Sequence, residues 1–437
     1  MNKEINPDIL HLIIPFLEMP DIAHCQLVSK SWNSVVKSPS IWRSISDISD
    51  KNIKRLDLFH PWLISKIRQY KPKKILIYDR ESLWSPSEIF QIFDELNENL
   101  EKLKLFLELE EEDASLLIMK IVKNCPNLIC FKTHGKFLSD TNMNYFKDLK
   151  FLGNFAIYND DPGFTGMNLK NFLPLKKLFL RPHNVEFEAL MPIIDRSKLE
   201  LKKLCFDCEI FEQKQLSEVL NKLNCEKIET VMLNYCDKFD EEVLKHVIRF
   251  KKLKTFKFSK GISIQRESYL RFLNQLDCQN LVSLNLKECS EIRDDSIFVL
   301  AEKAKNLKKL NLSWCAEITS ASINEIFMKC NFLKKVHLTG IKQLDRKAFP
   351  FINEILDLFN KEVFLKKKME KKKNFKKPEE YFKEGWNKRE ISCYRFLKYL
   401  DLRSCDLVAD EVLMVMKIIF PSLRLVNYYG EEVNFIS

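Results

Sequence analysis

Short stretches of this chain alternate apolar and polar positions and then change to a helical period. The segment 281–286 has the pattern L-x-x-L-x-L, with Leu281, Leu284 and Leu286, and the last two alternate with polar residues as in a half-buried strand. The apolar positions that follow are spaced i, i+3, i+4, i+7: Ile297, Leu300, Ala301 and Ala304. That spacing forms one face of a helix. The pattern therefore predicts a strand followed by a helix.

This strand–helix pattern recurs with a nearly fixed period. Segments 281–306 and 307–332 are both 26 residues long, and each opens L-x-x-L-x-L-x-x-C. The opening residue recurs at Leu149, Leu175, Leu201, Ile228, Leu253, Leu281, Leu307, Leu333, Leu397 and Leu423, with weaker openings at Leu100, Leu128 and Pro72. One strand and one helix cannot bury their own apolar faces, whereas stacked neighbours can, so the period indicates a solenoid.

Cysteines occupy two recurrent places in the repeat. They stand in the ninth place at Cys236, Cys289, Cys315 and Cys405, and three residues before an opening at Cys125, Cys225, Cys278 and Cys330. Both places face the predicted core, where cysteine behaves as a small hydrophobe. The only Cys-x-x-Cys, Cys205–Cys208, has no second pair at metal-binding spacing. We therefore expect reduced thiols, no metal ion and no cofactor.

These residues resemble leucine-rich repeats of the cysteine-containing type over roughly 100–437. The resemblance implies an α/β solenoid with parallel strands on the concave face and helices on the convex face. In such repeats positions 3, 5 and 7 of each unit point to the concave side. Basic residues occupy many of these positions, and they form the candidate substrate surface: Lys177, Arg181, Lys203, Lys257, Lys287, Lys309, Lys335 and Arg403. A predominantly positive charge on this concave surface favours acidic ligands.

The first 45 residues do not follow the repeat. Ile9, Leu10, Ile13 and Leu17 make an apolar helical stripe, and Pro20-Asp21 indicates a turn and a helix start. A second stripe consists of Val28, Trp32, Val35 and Val36. Three short helices in about 40 residues bury too little apolar surface by themselves. We therefore expect this module to need a partner.

The same segment resembles an F-box, with Asp8-Ile9-Leu10, Leu17, Met19-Pro20-Asp21-Ile22, Leu27-Val28-Ser29-Lys30-Ser31-Trp32 and Pro39-Ser40-Ile41-Trp42 in the family's order. The resemblance implies binding to a Skp-family adaptor. The candidate adaptor-binding residues are Ile5, Pro7, Ile9, Leu10, Ile13, Leu17, Pro20, Leu27, Val28, Trp32 and Trp42. The alternative is that these residues form only a cap on the solenoid.

The predicted organisation is a three-helix F-box at 1–45, a helical linker at 46–71 and the solenoid at 72–437. A Lys-rich insertion at about 359–396 interrupts the repeats. Its segment 361–389 carries 12 Lys or Arg and 5 Asp or Glu, in a chain with a net charge of +10. Three interpretations stay open: a solvated loop, a nuclear-localisation or nucleic-acid patch, and a contact for an acidic protein.

Composition excludes several classes of function. The chain has 8 glycines and no G-x-G-x-x-G or G-x-x-x-x-G-K-[ST], so a nucleotide-binding enzyme is not indicated. It has no signal peptide and no apolar run near the length of a membrane helix, so we expect the cytoplasm, the nucleus or both, and no membrane contact.

The combined resemblance implies a non-catalytic substrate-recognition subunit of an SCF-type (Skp–cullin–F-box) ubiquitin ligase. Its partners would be the adaptor, through it a cullin, and an acidic or phosphorylated protein substrate. The alternatives are a non-degradative scaffold and a nucleic-acid-binding repeat protein.

Overall fold

The structure is a computed structural model that describes residues 5–14, 17, 19–49, 56–79, 84–134, 138–158, 164–181, 185–349, 351–352, 356 and 394–433. The chain forms two compact units, Met1–Ile210 and Phe211–Ser437. We call them unit 1 and unit 2.

Unit 1 opens with four short helices: α1 (Pro7–Ile13), α2 (Met19–Cys25), α3 (Lys30–Val36) and α4 (Pro39–Trp42). Side chains cap two of them, because the Asn6 side chain accepts from the Asp8 amide at 2.9 Å and the Ser29 hydroxyl from the Trp32 amide at 3.3 Å. Helices α1 and α2 pack on α3. Their common core contains Leu10, Ile14, Ile22, Cys25, Val35 and Val36. The predicted three helices are therefore confirmed, with the short α4 added.

A ladder of parallel strands follows in unit 1, in chain order: β1 (Ser44–Ser49), β2 (Lys74–Asp79), β3 (Lys102–Leu107), β4 (Cys130–His134), β5 (Asn154–Tyr158), β6 (Lys177–Leu180) and β7 (Lys203–Asp207). The helices between them are α5 (Leu56–Tyr70), α6 (Pro86–Asp94), α7 (Glu111–Asn124), α8 (Asp140–Met143) and α9 (Phe187–Ser197). Among the described residues of unit 1, 3-10 turns occur at Asn144–Asp148, Met167–Asn171 and Cys208–Ile210.

Unit 2 repeats the same arrangement. Its parallel strands, again in chain order, are β8 (Thr230–Asn234), β9 (Thr255–Phe258), β10 (Ser283–Asn285), β11 (Lys309–Asn311), β12 (Lys335–His337), β13 (Tyr399–Asp401) and β14 (Arg424–Val426). Its helices are α10 (Gln213–Lys222), α11 (Glu242–Val247), α12 (Arg266–Gln275), α13 (Asp294–Lys303), α14 (Ser320–Lys329) and α15 (Asp410–Ile419), with a 3-10 turn at Arg346–Ala348. The predicted alternation of strand and helix is confirmed.

The core is built from the repeated apolar positions. Leu281, Leu284 and Leu286 of one repeat are at most 1% exposed, as are the predicted helical residues Ile297 and Leu300. The predicted burial of the ninth-place cysteines is confirmed: Cys236, Cys289, Cys315 and Cys405. Of the second cysteine row, Cys125, Cys278 and Cys330 are buried and Cys225 is half-buried.

The ninth-place cysteines also make a polar contact that links neighbouring repeats. The thiol of Cys315 donates to the Leu286 carbonyl at 3.1 Å, and the thiol of Cys289 donates to the Phe258 carbonyl at 3.5 Å. Cys405 does the same with Leu338 at 3.1 Å. A buried carbonyl needs a partner, and a thiol is a small, weak donor that fits this place.

The structure displaces the predicted register at two places. Asn154 pairs with Lys177, so the opening place before β5 belongs to Leu152 and not to Leu149. Arg424 pairs with Tyr399, so the last opening falls on Ser422 and not on Leu423. The first displacement follows from the short 3-10 turns in these repeats, which use fewer residues than a helix. The apolar pattern does not choose between Leu149 and Leu152, since both are buried.

The strand ladder also begins earlier than Pro72. Ser44 in β1 pairs with Lys74 in β2, so Trp42, the last residue of α4, occupies the opening place of the first strand. Helix α5 (Leu56–Tyr70) lies within the helical linker predicted at 46–71, but residues 46–49 of that linker belong to strand β1 and are not helical. Most of the predicted Lys-rich insertion, 359–393, lies outside the described residues. Strands β12 and β13, which flank it in sequence, pair directly through Lys335 and Tyr399.

Candidate interaction surfaces

Apolar side chains of the N-terminal helices remain exposed to solvent: Ile5 (44%), Ile9 (49%), Leu12 (70%), Ile13 (38%), Leu27 (84%) and Val28 (64%). Leu27 and Val28 lie in a turn after α2, where their amides donate to the carbonyls of His24 (2.9 Å) and Cys25 (3.3 Å). The turn is therefore held by the backbone while both side chains project outward. Exposed groups of large apolar residues mark interaction sites.

The structure sorts the candidate adaptor-binding residues by exposure. Ile5, Pro7, Ile9, Ile13, Leu27 and Val28 are exposed, whereas Leu17 and Trp32 are half-buried. Leu10 and Trp42 are fully buried inside the chain, so they support the module and do not present a contact surface. The Pro20 side chain lies outside the description. Leu12 is exposed on the same helix as Ile9 and was missed by the sequence analysis, although it follows the same apolar run.

Trp42 joins the N-terminal helices to the strand ladder. Its ring stacks on Tyr70 of α5 with centroids 5.5 Å apart and planes 6° apart, and meets the Trp62 ring edge-on at 5.5 Å. Its indole N–H donates to the Val36 carbonyl at 2.6 Å. Burial of a tryptophan requires such a partner for its polar atom. These contacts explain the absence of Trp42 from the exposed surface.

The exposed side of each strand ladder is a second candidate surface, here called the open strand face. In unit 2 several of its predicted cations are neutralised within the chain. Lys287 Nζ lies 2.7 Å from Glu288 Oε1, and Arg403 Nη2 lies 2.8 Å from Asp401 Oδ2. Lys309 and Lys335 stand directly opposite each other and have no ion pair among the described residues. Lys257 is half-buried.

Asp401 is a buried carboxylate within this face of unit 2. Burial raises its pKa, but hydrogen bonds from His337 and Arg403 outweigh that effect and hold the pKa of Asp401 well below its usual range. The Tyr399 hydroxyl lies 3.3 Å from the same carboxylate, and His337 Nδ1 lies 3.4 Å from Asp401 Oδ2. Asp401 is therefore a structural anion that organises its neighbours.

The open strand face of unit 1 is more strongly basic. Of the predicted residues, Arg181 lies 3.6 Å from Asp207, while Lys177 and Lys203 stand opposite each other in neighbouring strands. Four more lysines occupy positions 3 and 5 of their repeats on this face: Lys74, Lys102, Lys104 and Lys132. The sequence analysis missed these four because their repeats have weak openings. The same positional rule, applied from Pro72, Leu100 and Leu128, would have found them.

These six lysines have no carboxylate within 4.0 Å in the part of the chain that the structure describes. Lys104 pairs in register with Lys132, and Lys74 with Lys102. Burial lowers the pKa of Lys132 most, Cys130 raises it, and the positive charges of Lys104, Lys177 and Lys203 each lower it by a smaller amount. The lysines therefore act on one another as a concentrated positive field.

Two other kinds of feature, a metal site and a membrane-spanning helix, are absent from the described residues. No group of three or more His, Cys, Asp or Glu side chains within them is placed to hold a metal ion. Among the helices that the structure describes, none combines the length and apolar character needed to cross a bilayer.

Comparison with known proteins supports this architecture. The F-box-like family model matches residues 7–47, and the Leucine Rich repeat model matches residues 303–323. A chain from the crystal structure of the yeast Rad7 and Elc1 complex is similar in structure, with a TM-score of 0.62 and 17% identity, over 94% of this chain and 93% of that one. A leucine-rich-repeat protein of Leptospira interrogans matches with a TM-score of 0.32 and 16% identity, over 83% and 86%. The comparison with curated proteins gives no match.

An F-box-like domain thus precedes an array of leucine-rich repeats, which is the domain architecture of an F-box leucine-rich-repeat protein. This architecture is typical of non-catalytic adaptor proteins.

Proposed function

We propose that this protein is the substrate-recognition subunit of an SCF-type ubiquitin ligase, acting in the cytoplasm, the nucleus or both. Its F-box would bind a Skp-family adaptor and through it a cullin, and its repeats would bind a protein substrate. The chain itself would form no covalent bond. It would hold a substrate lysine close to an activated ubiquitin thioester, which turns a bimolecular encounter into a tethered one.

The exposed apolar side chains of the F-box carry this proposal. Leu27 and Val28 are 84% and 64% exposed on a module whose own core is already filled by Leu10, Val35 and Val36. Exposing such aliphatic side chains to water costs free energy, which is recovered when a partner covers them. They can therefore anchor an interface. The backbone hydrogen bonds of the turn already fix the position of both residues. Less conformational entropy is therefore lost on binding, which favours it.

The test is co-purification of the adaptor and a cullin with the full-length protein carrying Leu27→Ala and Val28→Ala. We expect at least a tenfold loss of adaptor recovery, since anchors of this kind cost about 2 kcal/mol or more when truncated. The control carries Leu199→Ala and Leu407→Ala, which truncate leucines that are 64% and 58% exposed in the repeats. Equal adaptor recovery from both variants, or no adaptor with the wild-type protein, would contradict the proposal.

The same pair of variants separates a ligase subunit from a non-degradative scaffold. A ligase subunit requires that proteins bound by the repeats become ubiquitylated only when Leu27 and Val28 are intact. Partners that bind the repeats and show no change in ubiquitylation between the wild type and the F-box variant would favour the scaffold.

A further inference from the structure

We propose that the open strand face of unit 1 is the substrate-binding surface and that its ligand is an extended protein segment rich in Asp and Glu. This inference rests on the proposed function for the role of the ligand, and it names the substrate class. The surface consists of Lys74, Lys102, Lys104, Lys132, Lys177 and Lys203, with the rings of Tyr78, Phe106, Tyr158 and Phe179 beside them.

The charge of this face is the first support. Three pairs of lysines stand directly opposite each other in neighbouring strands: Lys74 and Lys102, Lys104 and Lys132, Lys177 and Lys203. Like charges placed directly across a sheet destabilise it. An anionic ligand would relieve that repulsion on binding, so part of the binding energy comes from strain already present in the free protein.

In unit 2 one pair of opposed lysines, Lys309 and Lys335, likewise has no ion pair among the described residues, but other cations of the face are neutralised. There Arg424 lies 3.1 Å from Glu432, Lys287 is paired with Glu288, and Arg403 is paired with Asp401. On the face of unit 1 the described acid is Asp207, which already contacts Arg181. The positive charge of the unit 1 face is therefore available to a ligand, whereas much of the positive charge of the unit 2 face is neutralised by acids of the same chain.

The aromatic side chains favour carboxylates over nucleobases. Lys132 Nζ lies 5.6 Å from the centre of the Phe179 ring, and Ala156 is the residue in register between them on β5. The Arg181 guanidinium lies 5.5 Å from the Tyr158 ring centre. A strand of nucleic acid binds such surfaces by stacking its bases on free ring faces, and here cations already cover a face of both rings.

Lysine in place of arginine points in the same direction. Phosphate groups are recognised most specifically by the planar fork of arginine, whereas lysine acts as a point charge with adaptable geometry. Among the described residues of this face, the cations without a carboxylate partner are all lysines. A run of carboxylates that needs no fixed geometry therefore matches the surface better than a single phosphorylated residue.

The dimensions of the face set the length of the segment. Neighbouring strands lie about 4.8 Å apart, so the five steps from β2 to β7 span roughly 24 Å. An extended chain advances about 3.4 Å per residue, so a segment of about seven residues reaches across the five lysine-bearing strands and β5, which carries no lysine.

The test is fluorescence anisotropy with the full-length protein and a fluorescein-labelled peptide of about ten alternating Glu and Asp residues, long enough to span the face. One variant carries Lys104→Gln and Lys132→Gln. The matched control carries Lys309→Gln and Lys335→Gln, which removes another lysine pair in register but in unit 2. We expect the first variant to bind the peptide about tenfold more weakly than the wild type and the control to change less than about twofold.

Three outcomes would overturn the inference. The first is absence of peptide binding at low salt, and the second is equal weakening in both double variants. The third is that an oligothymidylate or a phosphoserine peptide without Asp or Glu binds more tightly and loses affinity in the same unit 1 variant. None of these outcomes bears on adaptor recovery. Conversely, if the proposed ligase function is wrong, the protein should bind the peptide normally but co-purify with neither adaptor nor cullin.

Discussion

The indole ring of Trp314 lies directly over the Cα of Gly340 in the next repeat. A Cβ at residue 340 would come within 2.6 Å of Trp314 Cδ2, which real structures do not show. Gly340 has a φ of +75°, and Tyr235, Lys260, Glu288, Trp314 and Ser404 in the corresponding places also have positive φ. Those places tolerate side chains, so the backbone conformation alone does not require glycine at 340. The ring of Trp314 does.

Gly340→Ala should therefore destabilise unit 2 by about 1–3 kcal/mol, because it combines the left-handed backbone with overpacking against a ring. Chemical denaturation followed by tryptophan fluorescence measures the effect. Gly153→Ala is the control, since the nearest side-chain atom to its Cβ lies 3.6 Å away. Adding Trp314→Ala to Gly340→Ala should restore part of the loss; an unchanged double variant would contradict the steric cause.

The thiols of the repeat should react slowly in the native protein. Burial raises the pKa of Cys125 and Cys330 to about 12 and that of Cys289 and Cys405 to about 11, so little thiolate exists at neutral pH. Mass spectrometry after brief iodoacetamide treatment should find Cys225, which is half-buried, labelled before these four. Labelling of the four at the rate of the denatured protein would contradict the packing described here.

Asp401→Asn should cost about 1–3 kcal/mol near neutral pH, because it removes the anion that binds Arg403 and His337. The pKa of Asp401 is depressed in the folded state. Its stabilisation is therefore complete above the unfolded pKa of about 3.9 and is lost as the pH falls towards the folded value. Urea unfolding should show the difference between wild type and variant shrinking below about pH 4. A difference that does not depend on pH would refute the ionic role.

Removal of residues 361–389, with Asn360 joined to Glu390, should leave the thermal midpoint within a few degrees of the wild type. Strands β12 and β13 pair directly on either side of this segment, so the ladder does not depend on it. Surface changes of this kind alter stability by roughly 0.5 kcal/mol. Differential scanning calorimetry tests the expectation, and a large fall in the midpoint would show that the segment packs on the repeats. Comparing the nuclear accumulation of the shortened protein with that of the wild type tests whether the segment is a localisation signal.

The sequence by itself determined the repeating unit and the N-terminal module. Both follow from local periodicity, since the alternation around Leu284 and the helical spacing of Ile297 and Leu300 are readable within one repeat. The places of Cys289 and Cys315 were equally clear, although their hydrogen bonds to the preceding repeat were not. Leu27 and Val28 were also identified as candidate contacts from the order of residues alone.

The tertiary structure decided which candidates are available to a partner. Leu10 and Trp42 share the apolar character of Leu27, yet the chain's own packing buries them, and burial depends on contacts with residues such as Tyr70 that are distant in sequence. The same holds for charge. A strand cation is neutralised either by an acid close by in the chain, as Arg403 is by Asp401, or by one on the next strand, as Arg181 is by Asp207. The 3-10 turn before β5 displaces the register that sets such neighbours opposite each other. Only the assembled ladder therefore shows which strand cations have a carboxylate partner and which have none among the described residues, as for the six lysines of unit 1 and for Lys309 and Lys335 of unit 2.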